Sequence, residues 1–237
     1  MTAADFDPVA GVYATARPSY PRAAVDWLVP VEAGVVADVG AGTGLFTSLL
    51  VREGRDVIAI EPSPAMLDEL RRLVPHAVAM QGTGERMPLA EASVDAVVFA
   101  QAWHWVDVPA ATAEVARVLR PGGVFGLVWN LRDERVPWVR ALGEAMRADG
   151  DHFRGESDDP EVGAPFGEPE RSLIEWVQVC TSDEILADVR SRSYFALLSP
   201  REQEQVLEDV AAVLPEEPIG LPYVTAAFRY IRPGQAP

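Results

Sequence analysis

Val35-Val36-Ala37-Asp38-Val39-Gly40-Ala41-Gly42-Thr43-Gly44 is the stretch that decides the fold of this 237-residue chain. Val35 to Val39 is a short apolar run that breaks into glycines, which suits a buried parallel strand entering a turn. Glycines let the backbone turn sharply and approach a ligand with no Cβ in the way. Leu45 to about Glu53 reads as the following helix, stopped by Gly54, and a helix start offers unpaired N–H groups. The spacing is Gly-x-Gly-x-Gly, not the Gly-x-Gly-x-x-Gly of dinucleotide sites. Asp38 would be an unwelcome neighbour for a pyrophosphate, whereas a sulfonium or ammonium ligand tolerates it.

Working outward, Val57 to Ile60 reads as a second strand ending at Glu61, an acid placed to accept hydrogen bonds from ribose hydroxyls. Ser63 can cap a helix from Pro64 to Leu73. Strands follow at Ala77–Met80 and Val94–Ala100, then a helix at Pro109–Leu119, a turn at Arg120–Gly123 and a strand at Val124–Trp129. A helix from Ser19 to Val29 precedes them. Five strands with helical crossovers before residue 131 imply a doubly wound parallel sheet. Further on, Trp138–Ala148 reads as a helix, Asp149–Glu170 as a long loop, Leu173–Cys180 and Tyr223–Ile231 as strands, and Ser182–Arg192 and Pro200–Leu214 as helices. Two late strands would bring the sheet to seven.

Composition narrows the function. Acids outnumber bases 36 to 20, for a net charge of −16, and the acids are spread along the chain. Such a surface repels phosphate backbones, so a nucleic-acid substrate is disfavoured. All the basic residues are arginine, which excludes Schiff-base and lysine general-base chemistry. Cys180 is the sole cysteine, so neither an intramolecular disulfide nor a cysteine metal cluster can form, and three scattered histidines lack metal-ligand spacing. No apolar run reaches the roughly 20 residues of a membrane span. The first residues lack the basic and apolar regions of a secretory signal. The expectation is therefore a cytoplasmic protein with no metal, no membrane partner and no nucleic-acid partner.

The stretch Val36–Phe46 resembles the first motif of class I S-adenosylmethionine-dependent methyltransferases. The likeness implies a Rossmann-like α/β fold: a seven-stranded, mostly parallel sheet with helices on both faces, an N-terminal lid and a C-terminal helical cap. It implies one domain over residues 1–237, with a lid at 1–30, a cofactor-binding core at 31–130, and a cap with the last two strands at 131–237. Asp38 and the turn through Gly40, Ala41, Gly42 and Gly44 would hold the methionine part of S-adenosylmethionine. Glu61, followed by Pro62, would hold the ribose, and Met66 would flank adenine. Gly82-Thr83-Gly84-Glu85-Arg86-Met87-Pro88 is similar to the family's turn after the third strand, with Thr83 where many members carry an acid and with backbone contacts from Gly84 and Glu85. Gln101-Ala102-Trp103-His104-Trp105 and the N-terminal Tyr13, Arg17 and Tyr20 resemble the trans-aconitate methyltransferase-like subgroup, as do Trp129-Asn130, Ser191–Tyr194 and Leu221-Pro222-Tyr223.

Ligands of open α/β sheets lie outside the C-terminal strand edges, so Gln101 is expected beside the cofactor and Trp103, His104 and Trp105 in the acceptor pocket. Methyl transfer is a displacement at an activated carbon, and positioning plus water exclusion can supply much of the catalysis. His104 is the candidate general base; the alternative is that it packs between the two tryptophans. Arg17 would pair with the cofactor carboxylate or an acidic substrate, or else lie on the surface. Tyr20, Trp129 and Tyr194 complete the expected pocket for a small-molecule acceptor. Three other readings compete: a non-catalytic S-adenosylmethionine-binding regulator, an NAD(P)-dependent oxidoreductase, and a nucleic-acid methyltransferase. The glycine spacing, Asp38 and the lack of lysine oppose the oxidoreductase.

Overall fold

The strand that carries the glycine turn, β1 (Val35–Val39), lies inside a sheet whose neighbours are β2 (Asp56–Glu61) and β4 (Val94–Ala100). The computed structural model describes residues 18–147, 152–155 and 159–234. With β3 (Val78–Gln81), β5 (Leu119–Asp133), β7 (Glu170–Cys180) and β8 (Ile219–Ile231), the order is β3-β2-β1-β4-β5-β8-β7. The first five strands of that order run parallel, and β8 is antiparallel to both β5 and β7. Among the described residues these seven strands form the expected, mostly parallel sheet, which a short strand off this path joins at β5.

The strand period of two sorts β1 between the faces. Val36 packs with Val25 and Leu28 of α1 (Arg22–Leu28) and with Phe46 and Leu50 of α2 (Leu45–Leu50). Ala37 and Val39 turn to the other face, toward Ala111, Val115 and Val118 of α4 (Val108–Val118). Between them in sequence lies α3 (Pro64–Leu73), capped by Ser63, whose Oγ accepts from Met66 N at 3.2 Å. A third apolar cluster joins α5 (Pro137–Ala145), α6 (Ser182–Arg190), α7 (Ser193–Ala196) and α8 (Pro200–Val213) to the start of β8. Thr181 and Ser199 close capping boxes with Glu184 and Glu202, which fixes where α6 and α8 begin.

Several elements depart from the sequence expectation. The first helix starts at Arg22 rather than Ser19, because Pro21 is extended and serves as its N-cap. Helix α2 ends at Leu50, and Gly54 sits in the following turn at φ +76°. The largest departure is β5. Arg120-Pro121-Gly122-Gly123 reads locally as a turn, yet it belongs to a 15-residue strand. Backbone bonds from Gly122 N to Arg232 O (3.0 Å) and from Arg232 N to Gly123 O (2.9 Å) hold it there, together with an ion pair from Arg120 to Asp95. At its far end β5 outruns β4, whose pairing stops at Ala100↔Val128. Arg132 and Asp133 pair instead with the two-residue β6 (His152–Phe153), inside the stretch expected to be all loop. The Ser182–Arg192 helix divides after Arg190. Among the described residues no helix is long and apolar enough to cross a membrane.

Candidate functional site

From β1 the chain moves outward to β2 and β3, then returns to place β4 on the opposite side of β1. Such a switch point opens a crevice beyond the C-terminal strand ends. A cleft lies there, lined at one end by Asp38, Gly40, Ala41, Gly42 and Thr43. Gly40, Gly42 and Gly44 all have positive φ, at +69°, +56° and +91°. A Cβ on Gly40 would lie 2.5 Å from the Ala102 Cβ, so both the turn and its close approach to β4 require glycine.

Asp38 is fully buried at the base of this turn. Its Oδ2 accepts from Thr47 Oγ1 at 2.6 Å, while Oδ1 has no hydrogen-bond partner among the described residues. Burial raises its pKa to about 7, against the lowering effect of the Thr47 hydroxyl and with a further push from Glu61. A buried carboxyl with a vacant acceptor is costly unless a ligand completes it. A cationic group, as at the methionine end of S-adenosylmethionine, fits that need, so the residues present suit the cofactor that the motif implies.

Glu61, at the end of β2, is 8% exposed and already engaged. Its Oε2 accepts from Gly42 N at 2.9 Å and its Oε1 from Ser63 N at 3.0 Å. Burial raises its pKa, and these two N–H donors lower it. One carboxylate thus ties the glycine turn to β2 and keeps spare lone pairs for a ligand.

Gln101 leaves β4 with φ +54°, a conformation rarely adopted by side-chain-bearing residues. Its N bonds Val128 O at 2.9 Å and its Nε2 bonds Asn130 O at 3.2 Å. Its buried Oε1 has no partner among the described residues, and the residue lines the cleft. Tyr20 also lines it, edge-on to Phe46 at 5.0 Å.

The other expected residues lie apart from this cleft. Met66 is buried on α3, and the Pro62 carbonyl accepts from Gln81 Nε2. Thr83 closes a small turn with Arg86, Gly84 abuts Val106 and Phe99, and the Glu85 carboxylate accepts from Asp107 N at 2.9 Å. Trp103, 3% exposed, packs edge-to-face on Phe99 and Phe125, and its Nε1 donates to Glu161 O. Trp129 points to the same face as Leu127, meeting Phe228, because it is one residue out of phase with the cleft-facing side of β5. His104 is exposed beside Trp105, ring centroids 4.8 Å apart, and neither lines the cleft. Tyr194 donates its hydroxyl to Met146 O at 2.5 Å and does not line the cleft. Tyr13 and Arg17 lie outside the described residues.

In their place the structure brings Asn130, Arg132, Arg192 and Tyr223 to the far end of the cleft. Asn130 and Arg132 are two apart on β5 and share a face, a signal legible once the strand is carried past Trp129. They pair in register with Thr225 and Tyr223 of β8. Asn130 donates to Ser19 O at 3.0 Å and accepts from Thr225 Oγ1 at 2.6 Å. Tyr223 stacks on Trp176 at 5.1 Å. Among the described residues no group of three or more His, Cys, Asp or Glu could hold a metal ion.

Comparison with known proteins agrees with this geometry. A family model described as a methyltransferase domain matches residues 37–127. An uncharacterized methyltransferase of Mycobacterium tuberculosis is 47% identical over 231 residues, covering 94% of each chain. An uncharacterized methyltransferase-like protein of Schizosaccharomyces pombe is 33% identical over 232 residues, 91% of each. Among solved structures, a candidate type II methyltransferase from Anaeromyxobacter dehalogenans shares the fold with a TM-score of 0.67 at 24% identity, covering 92% of this chain and 99% of that one.

Proposed function

This chain belongs to the S-adenosylmethionine-dependent methyltransferase family, and we propose that it methylates a carboxylate or hydroxyl oxygen of a small molecule. The observation that carries the reading is Asp38 Oδ1, a buried carboxylate oxygen without a hydrogen-bond partner among the described residues, at the base of a glycine turn that opens into the cleft. Its cofactor is S-adenosylmethionine, which supplies, when bound, a methyl carbon activated by a positively charged sulfur.

The chain's own residues do the rest. Asp38 faces the ligand's ammonium or sulfonium, and the Gly40–Gly44 turn shapes the backbone around the methionine end. Glu61 keeps that turn in place and accepts from the ribose, with Met66 and the Thr83–Glu85 turn toward adenine. Gln101, held by Val128 and Asn130, offers its Oε1 at the point where cofactor and acceptor meet. Catalysis in this reading is positioning and exclusion of water. A carboxylate acceptor needs no general base, which agrees with His104 lying outside the cleft lining. The segment from residue 131 onward acts as the acceptor side of the molecule, and the likeness to the trans-aconitate methyltransferase-like subgroup supports a small organic substrate.

Calorimetric titration with S-adenosylmethionine and S-adenosylhomocysteine, with NAD and NADP as controls, tests the reading. Binding of the first two alone, near the micromolar range, is expected; tight nicotinamide binding without them would overturn it.

A further inference from the structure

Two amides that line the cleft, Gln101 and Asn130, have their orientations fixed by the chain itself. Gln101 Nε2 bonds the main-chain O of Asn130 at 3.2 Å. A carbonyl oxygen only accepts, so the nitrogen of the amide faces it and Oε1 is the end left over. That oxygen is buried and has no hydrogen-bond partner among the described residues. An unmet buried acceptor is costly, and in a cleft lining a ligand can meet it. The backbone adds to the cost. Gln101 is held at φ +54°, a strain of the kind that persists at ligand sites, where the surroundings over-determine it.

Asn130 is oriented by the same logic. Its Nδ2 donates to Ser19 O at 3.0 Å, again a carbonyl, so Oδ1 faces Thr225 and takes the proton of Oγ1 at 2.6 Å. The Trp176 indole N–H, which can only donate, occupies a lone pair of that hydroxyl at 2.9 Å and leaves its proton for Asn130. Asn130 Nδ2 keeps one further proton. The two neighbouring amides thus offer a ligand one acceptor and one donor, both uncharged. A carboxylate brings lone pairs only and would face Gln101 Oε1 oxygen to oxygen. An ammonium brings protons only and would face the Asn130 N–H in the same way. A hydroxyl satisfies both.

We propose that Gln101 Oε1 and Asn130 Nδ2 recognise a neutral hydroxyl on the methyl acceptor, so that the substrates are hydroxyl-bearing small molecules oriented by these two amides. The proposal rests on the methyltransferase reading above and adds the recognised group to it. Neither amide can take up a proton, so both are specificity-determining residues that position the acceptor. A site built to bond a hydroxyl rejects the analogue that lacks its proton, because its own buried groups are then left unpaired.

The test is calorimetry on wild type, Gln101→Met and Thr225→Val. Each is first titrated with S-adenosylhomocysteine and with 5′-methylthioadenosine, which lacks the amino-acid end. The S-adenosylhomocysteine-loaded proteins are then titrated with phenol, benzyl alcohol and cyclohexanol, with their methyl ethers, and with benzoate and benzamide. The expected result is saturable binding of at least one hydroxyl compound to wild type, with its methyl ether about tenfold weaker or more. Gln101→Met keeps the length of the side chain without its polar atoms. It should bring hydroxyl and ether within about threefold of each other and change S-adenosylhomocysteine by less than that. Thr225→Val, outside the cleft lining, frees the Asn130 amide to turn and should shrink the same ratio in part. A change that only disturbs packing would weaken hydroxyl and ether together and leave the ratio where it was, which would overturn the proposal. It is also overturned if no hydroxyl compound binds wild type, if ethers bind as well, or if benzoate or benzamide binds more tightly than benzyl alcohol. These wild-type comparisons decide even if a variant fails to fold. Weaker binding of S-adenosylhomocysteine but not of 5′-methylthioadenosine in Gln101→Met would assign Oε1 to the cofactor's own ammonium and overturn it as well. Failure of wild type to bind S-adenosylhomocysteine at all would sink the cofactor reading itself, a separate outcome.

Discussion

One end of the cleft is built from main chain and the other from side chains, and the two respond differently to change. At the glycine end, a five-residue turn sets the shape, and each glycine φ is positive. Asp38, the side chain proposed to meet the cofactor, comes from the strand that leads into it. At the arginine end, Asn130 and Arg132 come from β5, Tyr223 from β8, and Arg192 from the junction of α6 and α7. A main-chain site tolerates few substitutions because its geometry is the backbone itself. A side-chain site can be rebuilt residue by residue on an unchanged scaffold, as expected when a family shares a cofactor and varies its acceptor.

Substitutions can break or sharpen this contrast. The largest effect is expected from Gly40→Ala, whose Cβ would meet Ala102 at 2.5 Å with the backbone at φ +69°. It should cost about 2–4 kcal/mol of stability in urea titrations. Binding of S-adenosylhomocysteine should weaken about a hundredfold, close to 3 kcal/mol. Retained affinity would mean that the turn is less rigidly specified than its geometry implies.

Asp38→Asn comes next. It should lower affinity for S-adenosylhomocysteine by about one to two orders of magnitude, the worth of a charge-assisted contact. Stability should hold or rise, since Thr47 can still donate to the amide oxygen.

The pH dependence of the same residue separates its two roles. Its folded pKa of about 7 lies above its ordinary value of 3.8, so the folded chain holds the proton more tightly. This contribution to stability is complete below about pH 4 and is lost as pH rises through about 7. Ligand affinity should move the opposite way, rising up to about tenfold per unit until pH 7 and then levelling, because the ionised form meets the cation. Both slopes should vanish in Asp38→Asn; a slope that persists would implicate another group.

Outside the cleft, Tyr194→Phe removes the bond to Met146 O. It should cost about 1 kcal/mol in thermal unfolding and leave S-adenosylhomocysteine affinity unchanged. His104→Ala should have the smallest effect, with turnover of the methyl acceptor within a few-fold of wild type. A loss of a hundredfold would return His104 to the role of general base.

The same contrast explains what could be read from the residues alone. The bounds of β1, β4 and α3 agree with the sequence expectation, because apolar runs with glycine, proline and a capping serine are local signals. So is the turn that ends in Gly44. Arg120-Pro121-Gly122-Gly123 misleads because its strand character comes from partners at Asp95 and Arg232, far along the chain. Ending that strand at Trp129 hides Arg132. Trp129 attracts attention as an aromatic near a site, yet alternation sends it to the opposite face. Arg192 and Tyr223 reach the cleft only through the packing of α6 and α7 against β8, which no local pattern encodes.

The bond from Gly42 N to Glu61 Oε2 joins the two halves of the footprint proposed for the cofactor. A carboxylate expected to meet the sugar also braces the loop expected to meet the amino acid. Adenosine and homocysteine, offered as separate fragments, would therefore not behave as independent tenants whose affinities simply combine. Each would meet a loop whose ordering has already been accomplished by folding, and any change at Glu61 would be felt at both ends of the ligand together.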